Sequence, residues 1–416
     1  MTDVVVAIFI ATYVGMAAGQ VPGLKLDRSG IALIGAIALI ATDAVTPAQA
    51  SGFVDRSTMM LLFGLMIVAA QFGVAGVFEG AARRIAALAD RPRRLLGAVI
   101  VVAGTLSAGL ANDIVVFAMT PLLCTGLRSR GVNPVPYLMA LAAAANAGSA
   151  ATLIGNPQNI LIGQMTGLGF WRYAAIAVPV AVATLAIAYG VIAWIWRAQL
   201  AAPLPAVQAS GERTPLYSDR RQYAKALIAT AALLILFATP VPREIPTLAV
   251  AGVLLASRRI ESRALIGDVD WNLLILFAGL FVVTGAFLVE MQGEAGAGGI
   301  AARLADAGWL PDRLSRLVPL ALAVSNTIGN VPAVILILQA WPSPPDGAMV
   351  ALAILSTLAG NLLLVGSLAN IIVAERARAN GIKLSFAEHA RAGVPITLLS
   401  TAVAAAWLTA LGIIRL

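Results

Sequence analysis

The 416-residue chain is 60% hydrophobic and only 12% charged, with a mean hydropathy of +0.90. Soluble domains carry about 25% charged residues, so this composition excludes a soluble globular protein and predicts a polytopic membrane protein. The net charge is +8, but the basic residues lie in short loops between apolar segments, which indicates membrane topology rather than nucleic-acid binding. The single cysteine and single histidine exclude an intrachain disulfide and a histidine-rich metal site.

Apolar segments long enough to be membrane crossings recur along the whole chain. They fall at 4–19, 30–46, 57–79, 135–163, 173–197, 225–241, 245–257, 271–291, 347–373 and 393–414. These segments predict an all-α fold with five crossings in each half.

Two further apolar runs, 95–127 and 317–345, have a different length. The first would extend about 50 Å as one helix, too long for a single crossing of a ~30 Å hydrocarbon core and short for two. It contains one charged residue, Asp113, whereas the second run contains none. We predict that each run forms a re-entrant helical hairpin, which returns to the side of the membrane from which it enters.

The distribution of basic residues supports these hairpins. If both runs return to their own side and both termini lie outside, 21 of the 28 Lys and Arg residues are cytoplasmic. If the first run crossed the membrane fully, the basic clusters that precede and follow it in the sequence would lie on opposite sides of the membrane, against the positive-inside rule. The seven basic residues left outside are Arg56, Arg172, Arg243, Arg303, Arg313, Arg316 and Arg415.

The two halves of the chain repeat each other in sequence. Phe170 and Pro179 match Phe386 and Pro395, which lie 216 positions later. Five crossings are an odd number, so the second half is predicted to be inverted relative to the first, as in secondary transporters. The predicted units are a first transmembrane repeat at 1–198, a Pro-rich cytoplasmic linker at 199–224 and a second, inverted repeat at 225–416.

The crossing at 135–163 is interrupted by residues that disfavour a continuous helix. Pro157 lacks an N–H group and clashes with the preceding turn, and Gly155 weakens the helix further. Asn156 and Asn159 flank this break, and their amides can coordinate a ligand. Interrupted backbone at membrane depth is tolerated only where it is buried in protein or lines a wet cavity.

A similar break occurs in the crossing at 347–373. Gly366, Ser367 and Asn370 lie there, and the glycine and asparagine keep the four-residue spacing of the first break. Interrupted helices at corresponding positions of two halves indicate the binding site of a transporter.

The first hairpin is centred on Asn112 and Asp113. Asp113 is the only acid between Asp90 and Glu212, and an acid at membrane depth is by default a functional residue. We predict that it binds a coupling proton or Na⁺; the alternative is a helix cap.

The second hairpin is polar but uncharged at its centre, which contains Ser325, Asn326, Thr327 and Asn330. Either asparagine could be the counterpart of Asn112. Two other reactive side chains are predicted to have no part in the site: His389 in a solvated cytoplasmic connection, and Cys124 as an apolar filler.

These motifs also occur together in one known superfamily. They are Ala111-Asn112-Asp113, Gly155-Asn156-Pro157-Gln158-Asn159, Gly329-Asn330-Val331-Pro332, Gly360-Asn361 and Gly366-Ser367-Leu368-Ala369-Asn370. Over nearly its whole length the chain resembles the ion transporter superfamily, which includes arsenite efflux permeases, citrate and dicarboxylate permeases and sodium/proton antiporters. The sodium-dicarboxylate branch has Ser-Asn-Thr in both hairpins, whereas here only the second hairpin has it, so the branch stays open.

The resemblance and the two pairs of motifs predict one central binding site for substrate and coupling ion. Its members are Asn112, Asp113, Gly155, Asn156, Asn159, Ser325, Asn326, Thr327, Asn330, Asn361, Gly366, Ser367 and Asn370.

The predicted function is secondary active transport of a small anion or oxyanion across the inner membrane, coupled to H⁺ or Na⁺. Arsenite or antimonite efflux, Na⁺/H⁺ antiport and a passive anion channel are the alternatives. No nucleophile–base pair and no Gly-x4-Gly-Lys-Ser/Thr loop is present, so neither an enzyme nor an ATPase is expected. No cofactor is expected beyond the coupling ion, and the resemblance implies a homodimer.

The hairpin topology can be tested with cysteines placed at its two ends. In a background without Cys124, we expect Arg93→Cys and Arg128→Cys to be labelled by an impermeant reagent from the same, cytoplasmic side, because a hairpin returns to its own face. Labelling of the two positions from opposite sides would show that the run crosses the membrane.

Overall fold

A computed structural model describes residues 2–18, 26–88, 91–201, 220–295, 310–341 and 344–416 of the chain. These residues form twenty α-helices and one short 3₁₀ helix and contain no β-strand, which confirms the predicted all-α fold. The first-half helices are α1 (Thr2–Ala18), α2 (Arg28–Ala41), α3 (Pro47–Phe53), α4 (Arg56–Val74), α5 (Val77–Ala86), α6 (Pro92–Gly109), α7 (Asn112–Arg128), α8 (Val135–Ser149), α9 (Pro157–Thr166), α10 (Phe170–Ile195) and α11 (Arg197–Ala201).

The second half repeats this order of elements. Its helices are α12 (Arg220–Leu236), α13 (Glu244–Leu255), α14 (Ser262–Gly267), α15 (Trp271–Ala295), α16 (Leu314–Ile328), α17 (Asn330–Ala340), α18 (Asp346–Ala359), the 3₁₀ helix Leu364–Gly366, α19 (Leu368–Ala379) and α20 (Phe386–Ala410). Most of the predicted linker, residues 202–219, lies outside the described residues. The inverted orientation of the second half stays a prediction.

Four of the described helices are long and apolar enough to cross a membrane alone: α4, α10, the 271–291 part of α15, and α20. The other predicted crossings are shorter helices or pairs of helices. The segment 30–46 forms the 14-residue α2, and the segment 245–257 forms the 12-residue α13. Hydropathy gave the positions of these segments, but turns in the backbone make the helices shorter than the apolar segments.

The predicted hairpin segments each form two consecutive helices. Two residues, Leu110 and Ala111, separate α6 from α7, and Gly329 alone separates α16 from α17. Gly329 has a φ of 96°, a conformation that side-chain-bearing residues rarely adopt, so a glycine is required where the chain reverses without a longer loop.

The two halves pack through matching pairs of helices. Helix α2 lies against α15, and its counterpart α13 lies against α4. A β-carbon at Gly64 of α4 would come within 2.7 Å of Thr247, and one at Gly279 of α15 within 2.7 Å of the backbone of Ala32. Both crossings therefore depend on a glycine that lets two helices approach closely.

Helices α8 and α18 occupy the centre of the molecule. Every residue of α8 from Pro136 to Ser149 is buried, and so is every residue of α18 from Ala348 to Ala359. By contrast, α10 exposes Val182 and Trp194, as a lipid-facing helix does. A helix that is apolar all round is buried on all sides, so the two interrupted crossings are enclosed by the rest of the fold.

The close approach of α2 and α15 can be tested with one methyl group. We expect Gly279→Ala to destabilise the protein by about 1–3 kcal/mol, because the new Cβ would overlap the Ala32 carbonyl and displace backbone. The measurement is the thermal unfolding midpoint of the purified protein in detergent.

Gly252 of α13 is the matched control, since a β-carbon there meets nothing within 4 Å. Gly252→Ala should leave the midpoint unchanged or raise it, because alanine favours a helix by up to about 1 kcal/mol over glycine. Equal midpoints for the two variants would contradict the proposed close packing.

Candidate functional site

The two hairpin tips present equivalent asparagines at the start of a helix. Asn112 is the first residue of α7, and Asn330 is the first residue of α17, 218 positions later. Both side chains are buried. Asn330, rather than Asn326, is therefore the counterpart of Asn112, and Val331 takes the place that Asp113 has in the first tip.

The two predicted breaks are present in the structure. Residues 150–156 separate α8 from α9, and residues 360–367 separate α18 from α19. The backbone N–H of Asn112 donates to the carbonyl of Gly155 at 2.9 Å, so the first hairpin tip is bound to the first break. Asn326 makes the corresponding connection in the second half, because its amide donates to Ala359 O and accepts from the N–H of Leu363.

The asparagine at the start of each second segment holds the carbonyls of its own break. Asn159 Nδ2 donates to Thr152 O at 3.1 Å. Asn370 Nδ2 donates to Gly360 O at 2.7 Å and to Leu363 O at 3.3 Å. Leu363 lies 211 positions after Thr152, as Asn370 does after Asn159, so the two breaks share one hydrogen-bond pattern.

Asn146 of α8 connects the first half to the second break. Its Oδ1 accepts from Asn112 Nδ2 at 3.1 Å and from Ser367 Oγ at 2.9 Å, and its Nδ2 donates to Asn361 Oδ1 at 2.9 Å and Asn370 Oδ1 at 3.1 Å. A carboxamide offers two donors and two acceptor sites, so all of its hydrogen-bonding capacity is used.

Thr357 of α18 makes the reciprocal connection, from the second half to the first break. It lies 211 positions after Asn146. Its hydroxyl oxygen is 3.1 Å from Asn156 Nδ2, 3.2 Å from Asn159 Oδ1 and 3.3 Å from Gln158 Nε2. Each break is thus completed by a side chain from the other half of the molecule.

Nine buried side-chain oxygens have no hydrogen-bond partner among the described residues, and four of these lie at the hairpin tips. These four form two equivalent pairs: Ser107 Oγ with Asn112 Oδ1, and Ser325 Oγ with Asn330 Oδ1. Buried polar atoms are almost always paired, so an unpaired oxygen marks a place for water, an ion or a substrate. Neutral oxygens of this kind are ligands that hard cations such as Na⁺ accept.

A cavity of about 1510 Å³ opens onto both hairpin tips, the second break and the start of α9. Asn112 and Asp113 line it from the first tip and Asn330 from the second. Gln158 and Ser367 line it from the starts of α9 and α19. Helices α7, α17 and α19 begin there without a side-chain cap, so their first N–H groups are not occupied by a side-chain acceptor.

Carboxylates outnumber guanidinium groups among the described residues of the cavity wall. Six acids line it: Asp27, Glu79, Asp113, Asp268, Asp270 and Glu375. The two bases already contact the protein, since Arg28 donates to Val365 O at 3.4 Å and the guanidinium of Arg376 lies 3.3 Å from the ring centre of Phe117. The cavity is therefore an acidic environment.

One of these acids, Asp268, lies in the connection between α14 and α15. Partial burial raises the pKa of this carboxyl above its ordinary value, because removal from water disfavours the charged form. Asp268 consequently keeps its proton to a higher pH than a fully solvated aspartate.

Most of the predicted site residues lie around the two breaks and the two tips, but the side chains of five form no hydrogen bond with another described side chain: Asp113, Ser325, Asn326, Thr327 and Asn330. Thr327 is exposed and its hydroxyl bonds to Ala323 O of its own helix. Asn326 bonds only to backbone groups. Gly366 and Ser325 are buried beside the second break and the second tip, respectively.

The predicted solvated position of His389 is wrong. The side chain is buried in the first turn of α20, where Nε2 lies 3.2 Å from Asn361 O and 3.4 Å from Asn370 Nδ2. The pattern of charged neighbours indicated a loop, but a Ser385–Glu388 capping box begins a helix there. Cys124 is buried in α7, in agreement with a filler role.

Six further polar residues belong to the network although they were not among the predicted site residues. They are Asn146, Ser149, Gln158, Thr357, Tyr173 and His389. A signal was present for Asn146 and Thr357, because a polar residue within a long apolar segment needs a partner. These two residues lie 211 positions apart, and Tyr173 and His389 lie 216 positions apart.

Comparison with known proteins agrees with this architecture. An uncharacterized transporter of Mycobacterium tuberculosis is 28% identical over 430 residues, which cover 98% of each chain. The silicon efflux transporter LSI3 of Oryza sativa is 26% identical over 92% of this chain and 93% of its own. The inner membrane protein YbiR of Escherichia coli is 30% identical over 77% of this chain and 79% of its own.

The fold also has a solved counterpart, in the YdaH transporter of Alcanivorax borkumensis. The two structures share a TM-score of 0.50 over 98% of each chain at 14% identity, a likeness that concerns the fold alone. Residues 7–344 match the sequence profile of a family described as citrate transporters. The predicted superfamily is thereby confirmed: the chain is a membrane transporter, and it belongs to the citrate transporter family.

Proposed function

We propose that the protein is a secondary active transporter of the inner membrane that moves a small oxyacid or its anion by alternating access, coupled to H⁺ or Na⁺. The observation that carries this proposal is the cavity onto which two hairpin tips, the second helix break and the start of α9 open. Matching interrupted helices around one central site are the arrangement by which secondary transporters bind their substrate.

The starts of the helices favour an oxygen-rich substrate. Helices α17 and α19 begin at the cavity without a side-chain cap, and so does α7, although its first N–H donates to the carbonyl of Gly155. N–H groups at a helix N-terminus donate hydrogen bonds, and the helix dipole adds partial positive charge, so oxygens that accept hydrogen bonds are bound well.

The charges on the wall favour a substrate that enters without net negative charge. Six carboxylates face two guanidinium groups that already have protein partners. A free citrate or dicarboxylate anion would meet repulsion from like charges, whereas an uncharged oxyacid such as silicic or arsenious acid would not. A polycarboxylate would enter with its charge neutralised by protons or bound cations.

Two features support ion coupling. Asp113 places a carboxyl at the first hairpin tip, where protonation or Na⁺ binding would remove a buried charge. The unpaired oxygens of Ser107, Asn112, Ser325 and Asn330 offer two equivalent places for a small hard cation. Coupling through Asp113 and coupling through a cation held by the neutral oxygens make different predictions, because only coupling through the carboxyl requires Asp113.

The proposal is tested by transport into proteoliposomes with an imposed proton or sodium gradient. We expect arsenite and silicic acid, both mainly uncharged at neutral pH, to be transported faster than free citrate, because the wall of the cavity is acidic. Preferential transport of free citrate, with neither oxyacid moved, would contradict the proposed class of substrate.

A counterflow measurement in the same vesicles separates a carrier from a passive channel. Vesicles preloaded with unlabelled substrate should take up labelled substrate faster than empty vesicles, because a carrier exchanges substrate as it returns. Equal rates in loaded and empty vesicles would indicate a channel.

Asp113→Asn tests the coupling site. We expect the variant to exchange substrate but to lose uphill accumulation and its dependence on pH or Na⁺, because asparagine can still occupy the first helical turn but cannot take up a proton. Glu79→Gln is the matched control, since it removes a carboxylate from the same cavity wall away from the hairpin tip. Wild-type accumulation by Asp113→Asn would assign coupling to the neutral oxygens instead.

A further inference from the structure

Tyr173 and His389 occupy equivalent places in the two halves. The 216-residue spacing that relates Phe170 to Phe386 also relates Tyr173 to His389. Each lies in the first turn of the last long helix of its half, α10 or α20, and each side chain is buried.

Tyr173 holds the first break with two hydrogen bonds at once. Its hydroxyl donates to Ala150 O at 2.8 Å and accepts from Asn159 Nδ2 at 3.1 Å. A phenol hydroxyl has one hydrogen to donate and lone pairs to accept with, so the two bonds do not compete.

In the second break, His389 also contacts a backbone carbonyl and an asparagine amide, and it contacts both through a single atom. Nε2 lies 3.2 Å from Asn361 O and 3.4 Å from Asn370 Nδ2. Asn361 lies 211 positions after Ala150, as Asn370 does after Asn159, so the contacts are equivalent to those of Tyr173.

The difference lies in what one ring nitrogen can do. With a proton on Nε2, the ring donates to the carbonyl of Asn361 and cannot accept from Asn370; without that proton it accepts from Asn370 and cannot donate to Asn361. Tyr173 therefore fixes both partners of its break together, whereas His389 holds one partner at a time.

We propose that His389 is a positioning residue that lets the second break alternate between two hydrogen-bonded arrangements while Tyr173 keeps the first break fixed. In this exchange Nε2 gives its proton to a water molecule and Nδ1 takes one proton from water, so the protons balance and the ring stays neutral. The moving element of the transport cycle is accordingly the second break, residues 360–367.

The network around the break gives this exchange a route to the binding site. The side chains of Asn361 and Asn370 both accept from Asn146, and Asn146 in turn accepts from Asn112 at the first hairpin tip. A shift of the second break therefore changes the partners of a residue that lines the cavity.

The inference rests on the proposed function, and its test uses side chains that hold both partners of the second break at once. His389→Tyr introduces the hydroxyl of the first half, and His389→Gln supplies an amide N–H donor and a separate carbonyl acceptor. We expect turnover at saturating substrate to fall about tenfold or more, with KM little changed, because a conformational step is slowed while binding is not.

Hydrogen exchange supplies a readout that does not depend on transport. In both variants, amides of residues 360–367 should exchange more slowly than in the wild type, while those of residues 150–156 should not change. Phe386→Tyr is the matched control, because it adds a hydroxyl on the same turn at an exposed position, and it should behave as the wild type.

The outcomes separate this inference from the proposed function. If the wild type moves no substrate, the proposed function fails, and the exchange rates still test His389. Wild-type turnover and exchange in either folded variant would overturn the inference. If neither variant folds, imidazole is a structural requirement and the switching role is wrong.

Discussion

The interrupted backbone at the centre of the protein must find its hydrogen bonds within the protein, because hydrocarbon supplies none. The breaks after α8 and α18 meet this requirement with asparagines that bind their own carbonyls and with one side chain from the opposite half. Neither half can complete its break alone. The two halves are consequently held together at their centre by polar contacts, and the glycine-mediated helix crossings pack around that centre.

This constraint also explains where the polar chemistry lies. In this chain, which is 60% hydrophobic, every buried asparagine among the described residues lies at a hairpin tip, at a break or at the adjoining end of α8. Four oxygens at the two tips have no partner among the described residues, and these are places for water, an ion or a substrate. In the proposed function, the acidic wall would select among oxygen-rich substrates by charge, and the helix N-termini would favour hydrogen-bond acceptors.

The two halves share the order of their helices and breaks, but they carry different side chains at several equivalent positions near the hairpin tips and breaks. Asp113 corresponds to Val331, Asn146 to Thr357 and Tyr173 to His389. The two halves therefore share the positions of their helices and breaks and differ in the polar groups at those positions. The proposed coupling residue, Asp113, and the proposed positioning residue, His389, both lie where the two halves differ.

The sequence by itself determined the class of fold and the positions of the two helix breaks. Hydropathy located the membrane segments, run length indicated the hairpins, and glycine and proline marked the first break, because each is a local property of the chain. The sequence did not determine that Asn330 is the counterpart of Asn112, that His389 is buried, or that Asn146 joins both halves. Those facts depend on contacts between residues more than 200 positions apart, such as Asn146 with Asn361 and Asn370, and only the tertiary structure brings such residues within hydrogen-bonding distance.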